Sequence, residues 1–135
     1  MTMGTFMSLV LEGDTSMDYW VKAITQKGLL QVRDDLLGTC KFAGMGQKMA
    51  IAAVQVEGGL DIPLEDLLAA VRRAYLRGLA IERKQGYQHA EYTLPAEVFD
   101  NPNPNVKTSA FLTREFFAEL QQKVWAVFEP EMATL

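Results

Sequence analysis

The segment from Pro63 to Lys84 constrains the fold most, because its apolar residues recur with the period of a helix. At about 100° per residue, one face collects a row of apolar side chains, namely Leu64, Leu67, Leu68, Val71, Tyr75 and Leu79. Pro63 suits the first helical turn, Glu65 and Asp66 complement the positive end of the helix dipole, and Gly86 follows as a stop. The segment therefore predicts the longest helix of the chain.

Upstream of that segment, glycines separate three further helical stretches. Ser16 is one of three neighbouring N-cap candidates for a helix over 16–26, which Gly28 would close. Residues 29–39 are predicted as part helix and part turn. Residues 40–57 are rich in Ala, Met, Gln and Lys, which favours helix, and Gly58-Gly59 mark its predicted end. Within them, Met45 and Met49 are one turn apart and are predicted to be flexible filling of the core.

Downstream, the chain from Gly86 to Ala110 is a long, proline-broken connection, which is uncommon unless it packs against the domain or has a function. Thr113 is a good N-cap for a last helix over 114–128, and Pro130 lies beyond its predicted end. Residues 1–13 and 129–135 are predicted to be a poorly defined N-terminal segment and a tail. The resulting class is all-α, a single domain over residues 1–135 forming a small bundle of four or five helices.

Composition limits the classes of partner and the cellular compartment that we expect for this chain. The 135 residues carry a formal net charge of −4, and the absence of a basic excess argues against nucleic-acid binding. No apolar run approaches the length of a membrane span, so we expect no membrane partner. The single cysteine excludes an internal disulfide framework and fits a reducing compartment, with the cytoplasm as the default.

Two charged features of the long helix call for an interpretation. Arg73, Arg77 and Lys84 lie opposite the apolar face, and a solvated surface is the simplest interpretation, with binding of an acidic ligand as the alternative. Glu82, in contrast, lies within about 20° of Leu64, in the middle of the apolar face. Its carboxylate requires a partner if it is buried.

Two interpretations of Glu82 are open. Either the helix end frays and the side chain reaches water, or Glu82 forms a buried ion pair. The candidate partners for such a pair are Lys41 and Arg83 of another chain.

Few residues of the chain are candidates for catalysis or for binding a metal or cofactor. The sequence has no phosphate-binding glycine loop, no Cys-x-x-Cys pair and no His-Glu-x-x-His helix. The one histidine, His89, lies between Tyr87 and Tyr92, and a surface or packing role is expected rather than catalysis. Cys40 is either a small buried apolar residue or a metal or cluster ligand, because Asp35 and Gly38 indicate a tight turn before it. If that turn leads into a helix N-terminus, the helix dipole favours the thiolate.

Five segments, in order, resemble the C-terminal region of the aldehyde ferredoxin oxidoreductase family, over residues 14–128. The first is Asp35-Leu-Leu-Gly38-Thr-Cys40, which is similar to a D-x-x-G-x-C segment of that family. The others are Gly59–Leu67, Arg73–Gly86, Tyr92–Pro95 and Leu112–Phe116. Members of the family are tungsten- or molybdenum-pterin enzymes that oxidise aldehydes to carboxylic acids.

The resemblance implies that Cys40 is one ligand of a four-iron four-sulfur cluster and that Asp35, Gly38 and Thr39 form a turn on the pterin side. Such a cluster needs about four cysteine thiolates, and this chain has one. The family's other three cysteines, its N-terminal β domain and its catalytic Glu and His have no counterpart here. We therefore expect no cofactor in the isolated chain and a site completed by the remaining domains or another subunit.

The alternative is a stand-alone helical module that has lost redox chemistry and self-associates to cover apolar surface. A small catalytic protein that uses Glu82 or Cys40 alone is a third interpretation.

Overall fold

The computed structural model describes residues 15–40, 46–101, 103–105 and 111–135. Five helices are present in these residues, and no strand is found among them, which confirms the all-α prediction. Helix α1 spans Met17–Lys22 and continues as a π-helical turn over Ala23–Lys27. The others are α2 (Leu29–Leu36), α3 (Gln47–Gly58), α4 (Leu64–Lys84) and α5 (Arg114–Met132). The predicted N-terminal segment 1–13 and Lys41 lie outside the described residues.

The predicted caps account for the starts of α1 and α5 and for the end of α3. The backbone N–H of Tyr19 donates to Ser16 Oγ at 3.3 Å, and that of Phe116 donates to Thr113 Oγ1 at 3.1 Å. Gly59 ends α3 in the left-handed conformation, with φ of 63°, which costs glycine little. The start of α3 differs from the prediction, because its first helical residue is Gln47 rather than a residue near Cys40.

The end predicted for the last helix, near residue 128, is wrong, because α5 continues to Met132 with Pro130 inside it. A proline lacks the backbone N–H that would bond back to the preceding turn. Tertiary contacts hold the final turn despite this loss. Glu131 forms an ion pair with Arg72 of α4, and Met132 packs against the cluster that contains Phe128.

Two apolar clusters form the core. The first cluster joins α1, its π-helical turn and α5 around Trp20, which is fully buried. The rings of Phe111 and Phe116 meet Trp20 edge to face, with centroids 5.7 and 5.8 Å away, a favourable arrangement of aromatic quadrupoles. The second cluster joins α4 to α5 through Leu76, Leu79, Trp125 and Phe128.

The long helix α4 buries half of the predicted face and half-buries the rest. Leu67, Val71 and Leu79 are buried as predicted, and Arg73, Arg77 and Lys84 are exposed. Leu76, which lies off the predicted face, is also buried, because α5 packs on that side of the helix. Met49 of α3 is 63% exposed, so its prediction as core filling is wrong; Met45 lies outside the described residues.

Part of the 86–110 connection packs against the domain. It contains a 3₁₀ turn over His89–Glu91 and one helical turn over Glu97–Asp100, and Val98 and Phe99 lie against the first cluster. In the described part of the chain, no helix combines the length and the hydropathy that crossing a bilayer requires.

Candidate functional site

The turn before Cys40 is a helix terminus of defined geometry. Gly38 adopts φ of 65°, and its N–H donates to the carbonyl of Asp35 at 3.2 Å. The N–H of Thr39 donates to the carbonyl of Asp34 at 2.9 Å. This pair of bonds is the Schellman motif, which ends a helix and satisfies its last carbonyls. Gly38 is therefore required by the left-handed backbone.

The side chains around this turn reinforce it. Thr39 Oγ1 also donates to the carbonyl of Asp34 at 3.2 Å, and Gln31 Nε2 donates to Asp35 Oδ1 at 3.2 Å. Arg33 Nε donates to the buried Asp34 carboxylate at 2.8 Å. The turn is thus held by helix-ending bonds and by side chains of α2 itself.

Cys40 is exposed and lies immediately after this turn. Cys40 follows the C-terminus of α2, and residues 41–45, directly after it, lie outside the described residues. The expectation that the thiol lies at a helix N-terminus therefore stays a prediction. Within the described residues, no group of three or more His, Cys, Asp or Glu side chains is placed to hold a metal.

A second candidate site lies between α4 and α5, at an apolar cavity of about 100 Å³. Five aromatic side chains line it, and the aliphatic part of its wall comes from the π-helical turn, α4 and α5. The aromatic residues are Tyr75, Tyr92, Phe117, Trp125 and Phe128. Gln121 adds a polar group, and its side-chain amide donates to the backbone carbonyl of His89 at 3.2 Å and to that of Tyr92. Gln121 thereby attaches the 86–96 segment to α5.

Glu82 lies at the edge of this site and has a partner that sequence reasoning did not identify. The Tyr92 hydroxyl donates to Glu82 Oε2 at 2.5 Å. Because α4 continues to Lys84, the helix does not fray at Glu82, and the side chain is half-buried. Its described partner is a neutral hydroxyl, and an ion pair with Lys41 or with another chain lies outside the described residues. Burial and the hydrogen bond to Glu82 raise the pKa of Tyr92 to about 12. Tyr92 therefore remains a hydrogen-bond donor at neutral pH.

His89 packs on the outer side of Trp125, which confirms the packing role. The two rings are parallel, with centroids 3.9 Å apart and an interplanar angle of 6°. Arg83 contacts His89 Nε2, donates to Glu129 Oε1 at 2.8 Å and lies 5.5 Å from the Trp125 ring centroid. Glu129 Oε1 is also 3.3 Å from His89 Nε2. Partial burial and the charge of Arg83 lower the pKa of His89 below 6.5, against an opposing effect of Glu129.

The lowered pKa of His89 predicts a loss of stability in mild acid. The folded state favours the neutral imidazole, so the stability this confers is complete above the ordinary pKa of 6.5. That stability is lost as the pH falls through the lower folded-state value. Because His89 is the only histidine, its NMR titration can be assigned without ambiguity, and we expect a midpoint below 6.5.

Two variants that each remove one charge separate the causes of the lowered pKa of His89. Arg83→Gln should raise the midpoint of His89, and Glu129→Gln should lower it further. A midpoint at or above 6.5 in the unmodified chain would contradict the described packing.

Several residues of these sites were not predicted. No local sequence pattern marks Trp125 or Gln121 as a site residue, because each is one of many residues of the predicted last helix. Arg72 was also missed, although its guanidinium bonds Glu131 of α5 and the carbonyl of Thr25 in the π-helical turn. A signal existed for Arg72, because it directly follows Val71 at the border of the apolar face. Comparison of the chain with models of protein families, with curated proteins and with solved structures found no match.

Proposed function

We propose that the chain is a helical domain akin to the C-terminal domain of aldehyde ferredoxin oxidoreductases, and that it contributes Cys40 to a cluster completed elsewhere. The observation that carries the proposal is the exposed Cys40 thiol at the end of a Schellman turn. An exposed thiol on a backbone held by its own hydrogen bonds can meet iron on a partner without local unfolding. The cytoplasm suits this role, because it keeps such a thiol reduced.

The residues of the turn have separate roles in this proposal. Cys40 would bind one iron of a four-iron four-sulfur cluster, and three cysteines of the remaining domains or another subunit would bind the others. Asp35 and Thr39 would lie toward the pterin, and Gly38 would hold the turn. The tungsten- or molybdenum-pterin would supply the redox chemistry, while this chain supplies a ligand and a wall.

The test uses a cluster with one open ligand position. A three-cysteine peptide holds a four-iron four-sulfur cluster whose fourth iron carries a displaceable thiol. We expect the chain to displace that thiol and to elute with the cluster at one per chain, and Cys40→Ser to abolish this binding. Iron and sulfide without the peptide should give no four-iron absorption, because one thiolate cannot hold the cluster.

A matched control distinguishes this turn from any exposed thiol. The double variant Cys40→Ser, Ala118→Cys places the thiol on the exposed side of α5. We expect it to bind the peptide-held cluster more weakly than the unmodified chain. Equal binding would contradict a dedicated role of the turn, and a stable four-iron cluster in the lone monomer would contradict the shared site.

The second candidate function is self-association, favoured by the exposed apolar side chains of α3. Met49 and Val56 are two helical turns apart on one face and are 63% and 79% exposed, and the nearby Leu60 is 55% exposed. Lys48 and Glu57 are the charged residues of α3, so two copies could pair along it with little desolvation of charge.

Light scattering coupled to size-exclusion chromatography tests this candidate. A dimer that Val56→Glu converts to a monomer would favour it, whereas a strict monomer at high concentration would exclude it.

A further inference from the structure

We infer that the aromatic cavity between α4 and α5 binds a neutral, single-ring aromatic compound that carries one hydrogen-bonding oxygen, as phenol does. The inference concerns residues remote in sequence from the Cys40 turn and does not depend on the proposed function. It rests on the lining of the cavity, on one hydroxyl that has no partner, on its volume and on the charge at its edge.

The lining favours an aromatic guest. Tyr75 and Phe128 meet at 68° with centroids 5.6 Å apart, and Tyr92 and Trp125 meet at 54° with centroids 5.7 Å apart. Rings at such angles offer both faces and edges to an enclosed ring, which matches the preferred edge-to-face and offset geometries of aromatic pairs. No charged side chain is among the described residues that line the cavity.

One hydroxyl of the wall is available to the guest. The Tyr75 side chain lines the cavity, and in the described part of the chain its hydroxyl makes no hydrogen bond. Burial and the nearby charge of Glu82 raise the pKa of Tyr75, so the hydroxyl stays protonated. A partly buried donor without an acceptor is costly, and an oxygen on the guest would supply that acceptor.

The volume of the cavity and the charge at its edge limit the size and the charge of the guest. Apolar cavities of about 150 Å³ bind benzene, and this one holds about 100 Å³ and is partly open to solvent. A single ring whose edge reaches the opening is the largest guest of this kind. The charge of Glu82 acts on both Tyr75 and Tyr92. Arg72 and Arg83 lie over the rings of Phe128 and Trp125, but each is already paired with a carboxylate of α5. The uncompensated charge is therefore negative, and an aromatic carboxylate is disfavoured.

The experiment titrates the full chain with phenol, toluene and benzoate, and follows saturable changes in its NMR spectrum. We expect phenol to bind more tightly than toluene, and benzoate not to bind. Tyr75→Phe removes one oxygen without changing the ring, and it should weaken phenol binding about fivefold to tenfold, the equivalent of one neutral hydrogen bond. Toluene binding should be unchanged in this variant.

A filled cavity is the second control. Val124→Phe places a ring in the cavity wall, and we expect it to abolish binding of both neutral compounds while circular dichroism shows the helices intact. If that variant does not fold, the comparison of phenol with toluene in Tyr75→Phe decides. The inference is overturned if phenol does not saturate, if benzoate binds as well as phenol, or if Tyr75→Phe weakens both neutral compounds equally.

Discussion

Replacing Trp20 by alanine is expected to destabilise the chain by about 3–5 kcal/mol, the largest effect we expect of a single substitution. Trp20 is 0% exposed and packs against Phe111 and Phe116. Alanine would leave a cavity and remove both edge-to-face contacts, since the surrounding side chains relax only in part. For a domain of this size the unfolding temperature should fall by about 10 °C or more.

Urea unfolding followed by circular dichroism measures this loss. Val56→Ala is the matched control, because Val56 is 79% exposed and its truncation should change stability by less than about 0.5 kcal/mol. A cost below about 1 kcal/mol for Trp20→Ala would mean that the α1–α5 cluster is not the core described above.

Arg72→Met is expected to destabilise the chain by about 1–2 kcal/mol, a figure reduced for partial exposure of the ion pair to solvent. The guanidinium donates to both Glu131 carboxylate oxygens, at 2.7 and 2.6 Å, and to the carbonyl of Thr25 at 3.0 Å. It thereby links α4 to the last turn of α5 and to the π-helical turn. Arg73→Met, one residue along on the exposed face, is the control and should have little effect.

The same contact predicts a pH dependence. The hydrogen bond and charge of Arg72 lower the pKa of Glu131 below 4.5. The stability conferred by the pair is therefore present above pH 4.5 and is lost as the pH falls through the folded-state value. Urea unfolding across this range should show a smaller acid-dependent loss for Arg72→Met than for Arg73→Met. Equal pH dependence in the two variants would contradict the pairing.

The helices could be predicted from the sequence because their signals are local. Three such signals are the apolar period of residues 63–84, the cap at Thr113 and the glycine pair at 58–59. Each acts within one or two helical turns, so it can be recognised without knowledge of the tertiary structure. The same locality explains one error. Pro130 signals a helix end only where no partner holds the next turn.

The two candidate sites differ in how much of each could be predicted from the sequence. The D-x-x-G-x-C turn is built from neighbours in sequence, so its glycine and its tight turn could be predicted, although its role in a cluster remains a proposal. The cavity could not be predicted, because Tyr75, Tyr92 and Trp125 belong to three separate segments. The position of Glu82 on the apolar face indicated that its carboxylate needs a partner. The sequence did not indicate that this partner is Tyr92.

The sequence by itself determined the helical class, the caps, the exposed basic stripe of α4 and the limit of one cysteine ligand, because period, capping and composition depend only on neighbouring residues or on counts. The tertiary structure alone decided that α5 continues through Pro130, that Leu76 is buried and that His89 lies on Trp125. These outcomes depend on which helix faces meet. That choice is made by the packing of residues far apart in the chain, for which no local pattern exists.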